Sequence, residues 1–348
     1  MQTRNIIVIG ASAGGFDALK TLVAGLPADL PATLLIVWHM APDTTGVLPQ
    51  VFNKCGSLPA SNACDGEALK PGHIYVAPPD RHLLLEDGVL RTTHGPKENR
   101  FRPAIDPLFR SAAYAYGPRV IGVILSGALD DGTSGLWTIK EAGGLAVVQH
   151  PADADVPSMP ENALRAVAVD YCVPVAEMAP LLTRLCREEI PQNTFAMKPN
   201  GRTQKEIAVA AEDTDAALAL FKTGDLTPFT CPECGGVLAR FREATRFRFR
   251  CHTGHAFSSD ALLTAVTEQV EDGFYRTLRS MDEGVMLLNH MGDHLAEANE
   301  PRLAALYFKK AKEFSSRADV LREAAGTPGP LSAETLREEA GPGSAPEE

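Results

Sequence analysis

The chain opens on a β-branched run, Ile6-Ile7-Val8-Ile9. It breaks into Gly10-Ala11-Ser12-Ala13-Gly14-Gly15 and then into an amphipathic stretch, Phe16–Leu26. A run that is apolar on both faces needs cover on both faces, which is the condition of a strand inside a parallel sheet. The glycines then turn the chain into a helix, so the residue between them stands at the carboxyl edge of the sheet, where α/β folds place their sites. The texture recurs: Thr33–Trp38, Val120–Leu125 and Leu145–Gln149 are further apolar runs, separated by helical patterns near Leu48–Cys55, Asp106–Tyr116 and Thr133–Ala142. Another helix–strand–helix set closes near residue 190. Short buried strands alternating with helices predict an α/β fold, a doubly wound and mostly parallel sheet over residues 1–190. One segment departs from the rhythm. His82–Leu85 and Val89–Thr92 flank Glu86-Asp87-Gly88 and predict a β-hairpin.

Beyond that domain the rhythm is lost. Residues 191–230 are expected to form a linker, with a short strand or helix at Glu206–Ala211, 231–257 a small cysteine module, and 258–325 a helical region punctuated by Asn299-Glu300-Pro301. Residues 326–348, rich in Pro, Gly and Glu, are expected to be a disordered tail. The formal net charge of −11 argues against a nucleic-acid partner, which calls for a basic footprint. No apolar run approaches the length of about eighteen residues that spans a bilayer, and no secretory signal precedes Asn5, so a cytoplasmic protein without membrane insertion is expected.

A serine between two glycines at a strand-to-helix turn fits a nucleophile elbow, with Ser12 exposed at the strand's end and the helix amino terminus nearby. Such a turn also serves as a phosphate-binding loop, but neither Gly-x-Gly-x-x-Gly nor Gly-Lys-Ser/Thr is present. A serine nucleophile requires a base. His39 ends the second apolar run and would stand beside Ser12 if the two strands are neighbours; alternatively it is a strand-end histidine bonded to a carbonyl. Asp130-Asp131 follows the strand Val120–Leu125 and would supply a carboxylate to orient the imidazole, or else cap the next helix. Each residue has an ordinary structural explanation. Three complementary groups at one sheet edge favour chemistry.

Gly10-Ala11-Ser12-Ala13-Gly14-Gly15, Trp38-His39-Met40, Phe101-Arg102-Pro103-Ala104-Ile105-Asp106-Pro107-Leu108-Phe109, Ser126-Gly127-Ala128-Leu129-Asp130-Asp131-Gly132 and Met159-Pro160-Glu161-Asn162-Ala163 resemble, in order, the motifs of the chemotaxis receptor methylesterase (CheB-type) family. The resemblance covers about residues 4–188. It implies Ser12 as nucleophile, His39 as base and Asp131, rather than Asp130, as its orienter. The implied reaction hydrolyses glutamyl methyl esters on methyl-accepting receptor proteins, or deamidates glutamine, without a catalytic cofactor. The family commonly has Thr at Ala13 and Met at Ala128, a position linked to its oxyanion hole; a backbone N–H serves equally from Ala. Arg102 resembles a cleft arginine that would bind an acidic side chain, unless it is an ordinary ion-pair arginine. Ser126, at another strand end, is a weaker candidate nucleophile. The family's amino-terminal receiver domain is not expected ahead of Asn5. A non-catalytic signalling adaptor and a small-molecule esterase are the competing functions.

Cys231-Pro232-Glu233-Cys234 and Cys251-His252-Thr253-Gly254-His255 give C-x-x-C followed by C-x-x-x-H, a tetrahedral zinc pattern. The expected ligands are Cys231, Cys234, Cys251 and His255, with His252 the alternative fourth. Four protein ligands leave no open position, so the zinc is expected to be structural and to stand apart from catalysis. His290 and His294 share a helix face with no third ligand evident. The carboxyl-terminal helices are a candidate homo-oligomer or partner surface.

Overall fold

The computed structural model describes residues 2–41, 46–86, 88–191, 201–243 and 246–325, with 331–332, 335–336 and 339. Asp87 of the hairpin turn and most of the tail expected at 326–348 lie outside the described residues. In chain order the first elements are β1 (Ile6–Ala11), α1 (Gly15–Ala24), β2 (Thr33–Trp38), α2 (Leu48–Cys55), β3 (Ala60–Asn62) and β4 (Ile74–Val76). The hairpin is β5 (His82–Glu86) and β6 (Val89–Thr93), paired antiparallel as expected. Then come α3 (Ile105–Tyr116), β7 (Val120–Ile124), α4 (Thr133–Glu141), β8 (Leu145–Gln149), α5 (Ser158–Ala166), β9 (Tyr171–Val173) and α6 (Val175–Arg187).

Seven strands form one sheet in the order β3-β4-β2-β1-β7-β8-β9, and every pairing is parallel. The period-2 alternation of side chains divides β1 between two cores. Ile7 and Ile9 pack with Leu34 and Ile36 under Leu19 and Leu22 of α1 and Leu182 of α6. Ile6 and Val8 pack on the other face with Leu35, Val37 and Leu108, Phe109 of α3. Gly10 is required by close approach, since a Cβ there would come within 2.5 Å of Ile105. This seats α3 directly against the strand that delivers Ser12.

Within the stretch expected to be a linker, the described residues 201–230 are ordered into regular elements. These are α7 (Gly201–Ala210), α8 (Thr214–Phe221) and β10 (Asp225–Thr230). Strand β10 begins a four-stranded antiparallel sheet, continued by β11 (Val237–Glu243), β12 (Arg246–Cys251) and β13 (Ala256–Ser258). Val209, Ala217 and Leu220 close a small core with Ala239 and Phe241. That core is shared between pieces far apart in sequence, so no single window carried its signal. The cysteine module is therefore part of a larger body. The chain divides into two units, Met1–Leu262 and Leu263–Glu348. In the second, helix α9 (Ser259–Glu297, which begins at the end of the first unit) and α10 (Pro301–Ala325) flank a turn at Asn299. Ala304, Ala311 and Ala318 are buried at seven-residue spacing, and Gly292 meets Phe308, as in closely packed helices.

Within the first unit the small sheet is fastened to the α/β domain by buried charge. Glu98, 1% exposed, accepts from Arg110 of α3 and from Arg248 (3.0 Å) and Arg250 (3.1 Å) of β12. Burial pushes the Glu98 carboxyl upward, but Arg110, Arg250 and Arg248 outweigh it and hold the group well below its ordinary value of 4.5. Its contribution is thus fully present above that value and is lost as pH falls through the folded-state value. Removing Glu98 takes away the carboxylate shared by three buried cations, leaving Arg110 and Arg248 only Asp106 and Glu206 in partial compensation, so Glu98→Ala is expected to destabilise the first unit by about 3–5 kcal/mol. Urea unfolding followed by the fluorescence of Trp38 and Trp137 is the check; a midpoint equal to wild type would show the network to be energetically idle.

Candidate active site

The turn after β1 is fixed by its own backbone. Ser12 N donates to Ser126 O at 3.0 Å, Gly15 N to Ser12 O at 3.0 Å, and the Trp38 indole to Ser12 O at 2.9 Å. Gly14 holds a left-handed backbone, φ 69°, ahead of α1, the conformation a glycine adopts at least cost. Strand β2 lies beside β1 in register, Ala11 opposite Trp38, so the next residue of each strand comes adjacent; His39 N donates to Ala11 O at 3.1 Å. Strand β7 flanks β1 on its other side, and its exit loop carries Asp131 back across the edge.

There the three groups meet. His39 Nδ1 lies 3.0 Å from Ser12 Oγ, and Nε2 lies 2.8 Å from Asp131 Oδ2, with the imidazole 3% exposed. A carboxylate on Nε2 accepts from the ring N–H and holds the proton there, leaving the Nδ1 lone pair to accept from the serine hydroxyl. Asp131 also accepts from Ile105 N (2.6 Å) and the Asn99 amide (2.9 Å). Burial raises its carboxyl, but the His39 imidazole, Ile105 N–H and Asn99 outweigh it, and the group lies below its ordinary value. It is built to stay ionised. Asp130 turns away: it accepts from Ser258 Oγ (2.6 Å) and Arg246 (2.9 Å), and burial raises its carboxyl despite Arg246. Ser126 Oγ donates to Ala13 O at 2.9 Å and accepts from Val156 N, so it braces the turn.

A cleft of about 460 Å³ opens over the serine, lined by Ser12, Ala13, His39, Met40, Ala41, Lys97, Arg100, Phe101 and Arg102. Ala13 faces it; Ala128 lies on the Ser126–Asp130 loop and is not among its lining residues. The Ser12 and Gly127 N–H groups are already paired, the latter to Val156 O. Arg102 is engaged by Asp80 (2.9 and 2.7 Å) and by Gly95 O (2.9 Å), the geometry of an ion-pair arginine. Nothing in the sequence pattern singled out Lys97, Asn99 or Arg100, or the role of Phe101. The last stacks on the His39 ring, centroids 3.7 Å apart and planes 11° apart. These residues sit on an irregular strap whose importance lies in what it touches, and no periodicity betrays that.

Away from the cleft, the donor atoms of Cys231, Cys234, Cys251 and His255 all lie within 4.8 Å of one another, a group that could hold a metal ion. Cys234 and Cys251 sulfurs are 3.7 Å apart, and His255 Nδ1 is 3.7 Å from the Cys231 sulfur and 3.6 Å from that of Cys251. A tetrahedron with metal–sulfur bonds of about 2.3 Å and metal–nitrogen bonds of about 2.05 Å has edges of roughly 3.6–3.8 Å. His252 packs instead against Phe221, ring centroids 6.2 Å apart.

Residues 7–182 match the family described as CheB methylesterase. A protein of Leptospira interrogans, provisionally named protein-glutamate methylesterase/protein-glutamine glutaminase, is 41% identical over 187 residues, 53% of this chain and 97% of that protein. Anaeromyxobacter dehalogenans protein-glutamate methylesterase/protein-glutamine glutaminase 2 is 41% identical over 182 residues, 52% of this chain and 53% of that one. The crystal structure of the Thermotoga maritima CheB methylesterase catalytic domain superposes with a TM-score of 0.51 at 33% identity, covering 53% of this chain and all of that one. With the parallel sheet, the strand-end serine and the match running together over the same residues, this chain belongs to the CheB methylesterase family.

Proposed function

We propose that the chain is a protein-glutamate methylesterase that hydrolyses glutamyl γ-methyl esters on receptor-type signalling proteins, with Ser12, His39 and Asp131 as its triad. The observation that carries this is the single imidazole bridging Ser12 Oγ at 3.0 Å and Asp131 Oδ2 at 2.8 Å. Ser12 Oγ attacks the ester carbonyl while its proton passes to His39 Nδ1, and Asp131 stabilises the imidazolium. The Ala13 and Ala128 N–H groups are the proposed donors to the oxyanion. His39 then protonates the departing methoxide, methanol leaves, and water activated by the same imidazole releases glutamate and the free serine. The same steps with ammonia leaving would deamidate glutamine. Lys97, Arg100 and Arg102 line the cleft mouth, with Lys97 paired to Glu233 and Arg102 to Asp80. The test is methanol release from methylated receptor cytoplasmic domains. No release there, beside hydrolysis of small esters, would replace the protein substrate with a small one.

The Cys231, Cys234, Cys251 and His255 group we assign to structural zinc: three thiolates and an imidazole fill a tetrahedron and leave no position open to substrate. Elemental analysis of protein purified under reducing, chelator-free conditions is expected to give one zinc per chain, and Cys251→Ser to abolish it. Zinc retained in full by that variant would sink the ligand set.

A further inference from the structure

Besides its contacts to Asp130, the small sheet reaches the candidate triad through a strap, residues 97–101. Ala256 N donates to Lys97 O at 3.2 Å, and Asn99 N donates to Ala256 O at 2.8 Å, so residues 97–99 run alongside β13. The Asn99 side chain, 2% exposed, is used at both ends. Its Oδ1 accepts from Ser258 N at 2.9 Å, and its Nδ2 donates to Asp131 Oδ1 at 2.9 Å and to Asp106 Oδ2 at 3.2 Å. Two residues on, Phe101 lies flat on the His39 ring. Asn99 and Arg100 both hold left-handed backbone, φ 49° and 78°. Asparagine adopts that conformation readily but arginine disfavours it, so at Arg100 the surroundings must hold the backbone there. Those surroundings are β12, through Arg248 and Arg250 on Glu98, and β13, through Ala256 and Ser258. Cys251 ends β12 and His255 immediately precedes β13, so two of the four metal-ligand positions fix the ends of the strands that hold the strap.

We infer that Asn99 is a positioning residue for the His39–Asp131 pair, and that metal binding at the Cys/His group sets its position by fixing β12 and β13. The inference rests on the serine mechanism and the metal site proposed above. The physical link is short. Oδ2 of Asp131 serves His39 and Ile105, while Oδ1 is held by the Asn99 amide and, at 3.4 Å, by Asp106 N. Without the amide the carboxylate is freer to rotate, and the imidazole it orients drifts with it. The knuckle would then be a working support of the active site.

The test uses the full chain and a peptide bearing a glutamyl γ-methyl ester, with methanol release and metal content both measured. Misplacement by about an ångström costs on the order of a hundredfold, so Asn99→Ala is expected to lower kcat by about that factor with KM little changed. Stripping the metal from wild type with a chelator should lower kcat by a similar factor and speed amide hydrogen exchange over residues 97–101. Stripping Asn99→Ala should lower kcat no further. Asn99→Asp guards against simple undocking, because it keeps the acceptor for Ser258 N–H while facing Asp131 with a carboxylate; it should hold metal and still lose kcat. Unchanged kcat in stripped wild type, wild-type kcat in Asn99→Ala, or an equal further loss when that variant is stripped would each overturn the inference. A chain purified without metal, or Ser12→Ala hydrolysing at the wild-type rate, would overturn it together with the proposal it rests on, and the two results are separately recognisable.

Discussion

Ser12→Ala is expected to lower kcat for ester hydrolysis on the order of a millionfold, the size of loss when a serine triad loses its nucleophile. The fold should be untouched. Ser12 Oγ is held by the imidazole alone among the contacts described above, and the turn around it is secured by backbone bonds and by Trp38, all of which alanine keeps. His39→Ala should be about as damaging, because the triad works as a unit and the losses are not additive. Methanol release by the purified variants, beside near-ultraviolet circular dichroism to confirm packing, is the measurement. Hydrolysis by Ser12→Ala at the wild-type rate would remove the assignment outright. Ser126→Ala supplies the contrast: Ser126 Oγ is tied to Ala13 O and Val156 N, so its loss should loosen the turn and reduce activity far less.

Asp131→Asn is expected to cost about ten-thousandfold in kcat, whereas Asp130→Asn should cost far less. The adjacent carboxylates have separate environments. Asp131 accepts from His39, Ile105 N and Asn99, and an amide in its place would offer the imidazole a neutral partner or the wrong tautomer. Asp130 meets Arg246 and Ser258, so its neutralisation weakens the seat of the small sheet instead. The pH dependence separates them as well. Asp131 is held below its ordinary value of 3.8, so its ionised form should persist well into acid, and the acid limb of kcat should belong to another group. A larger kcat loss in Asp130→Asn than in Asp131→Asn would show that the orienting carboxylate had been misassigned.

Much of this was legible in the chain itself. The run Ile6–Ile9 leading into Gly10-Ala11-Ser12-Ala13-Gly14-Gly15 dictated a buried strand, a sharp turn and a helix, because backbone sterics and two-sided burial admit little else. Alternating strands and helices dictated the parallel sheet, and a parallel sheet gathers its strand ends at one edge. The spacing of Cys231, Cys234, Cys251 and His255 was legible for the same local reason: close residues on turns share a small volume. Local pattern left open which strands are neighbours; the family resemblance implied His39 and Asp131, and the tertiary structure brings both to Ser12. It also decided that Arg102 is spent on Asp80, that residues 201–230 are ordered by a core shared with β11, and that the cysteine-bearing sheet seats Asn99 against the candidate triad. These depend on pairings across 22 to 159 residues of chain, as in Arg102–Asp80 and Ser258–Asn99. Local pattern carries the period of an element and the chemistry of a side chain, but a contact between distant segments is set by packing of the whole body, which no window of sequence contains.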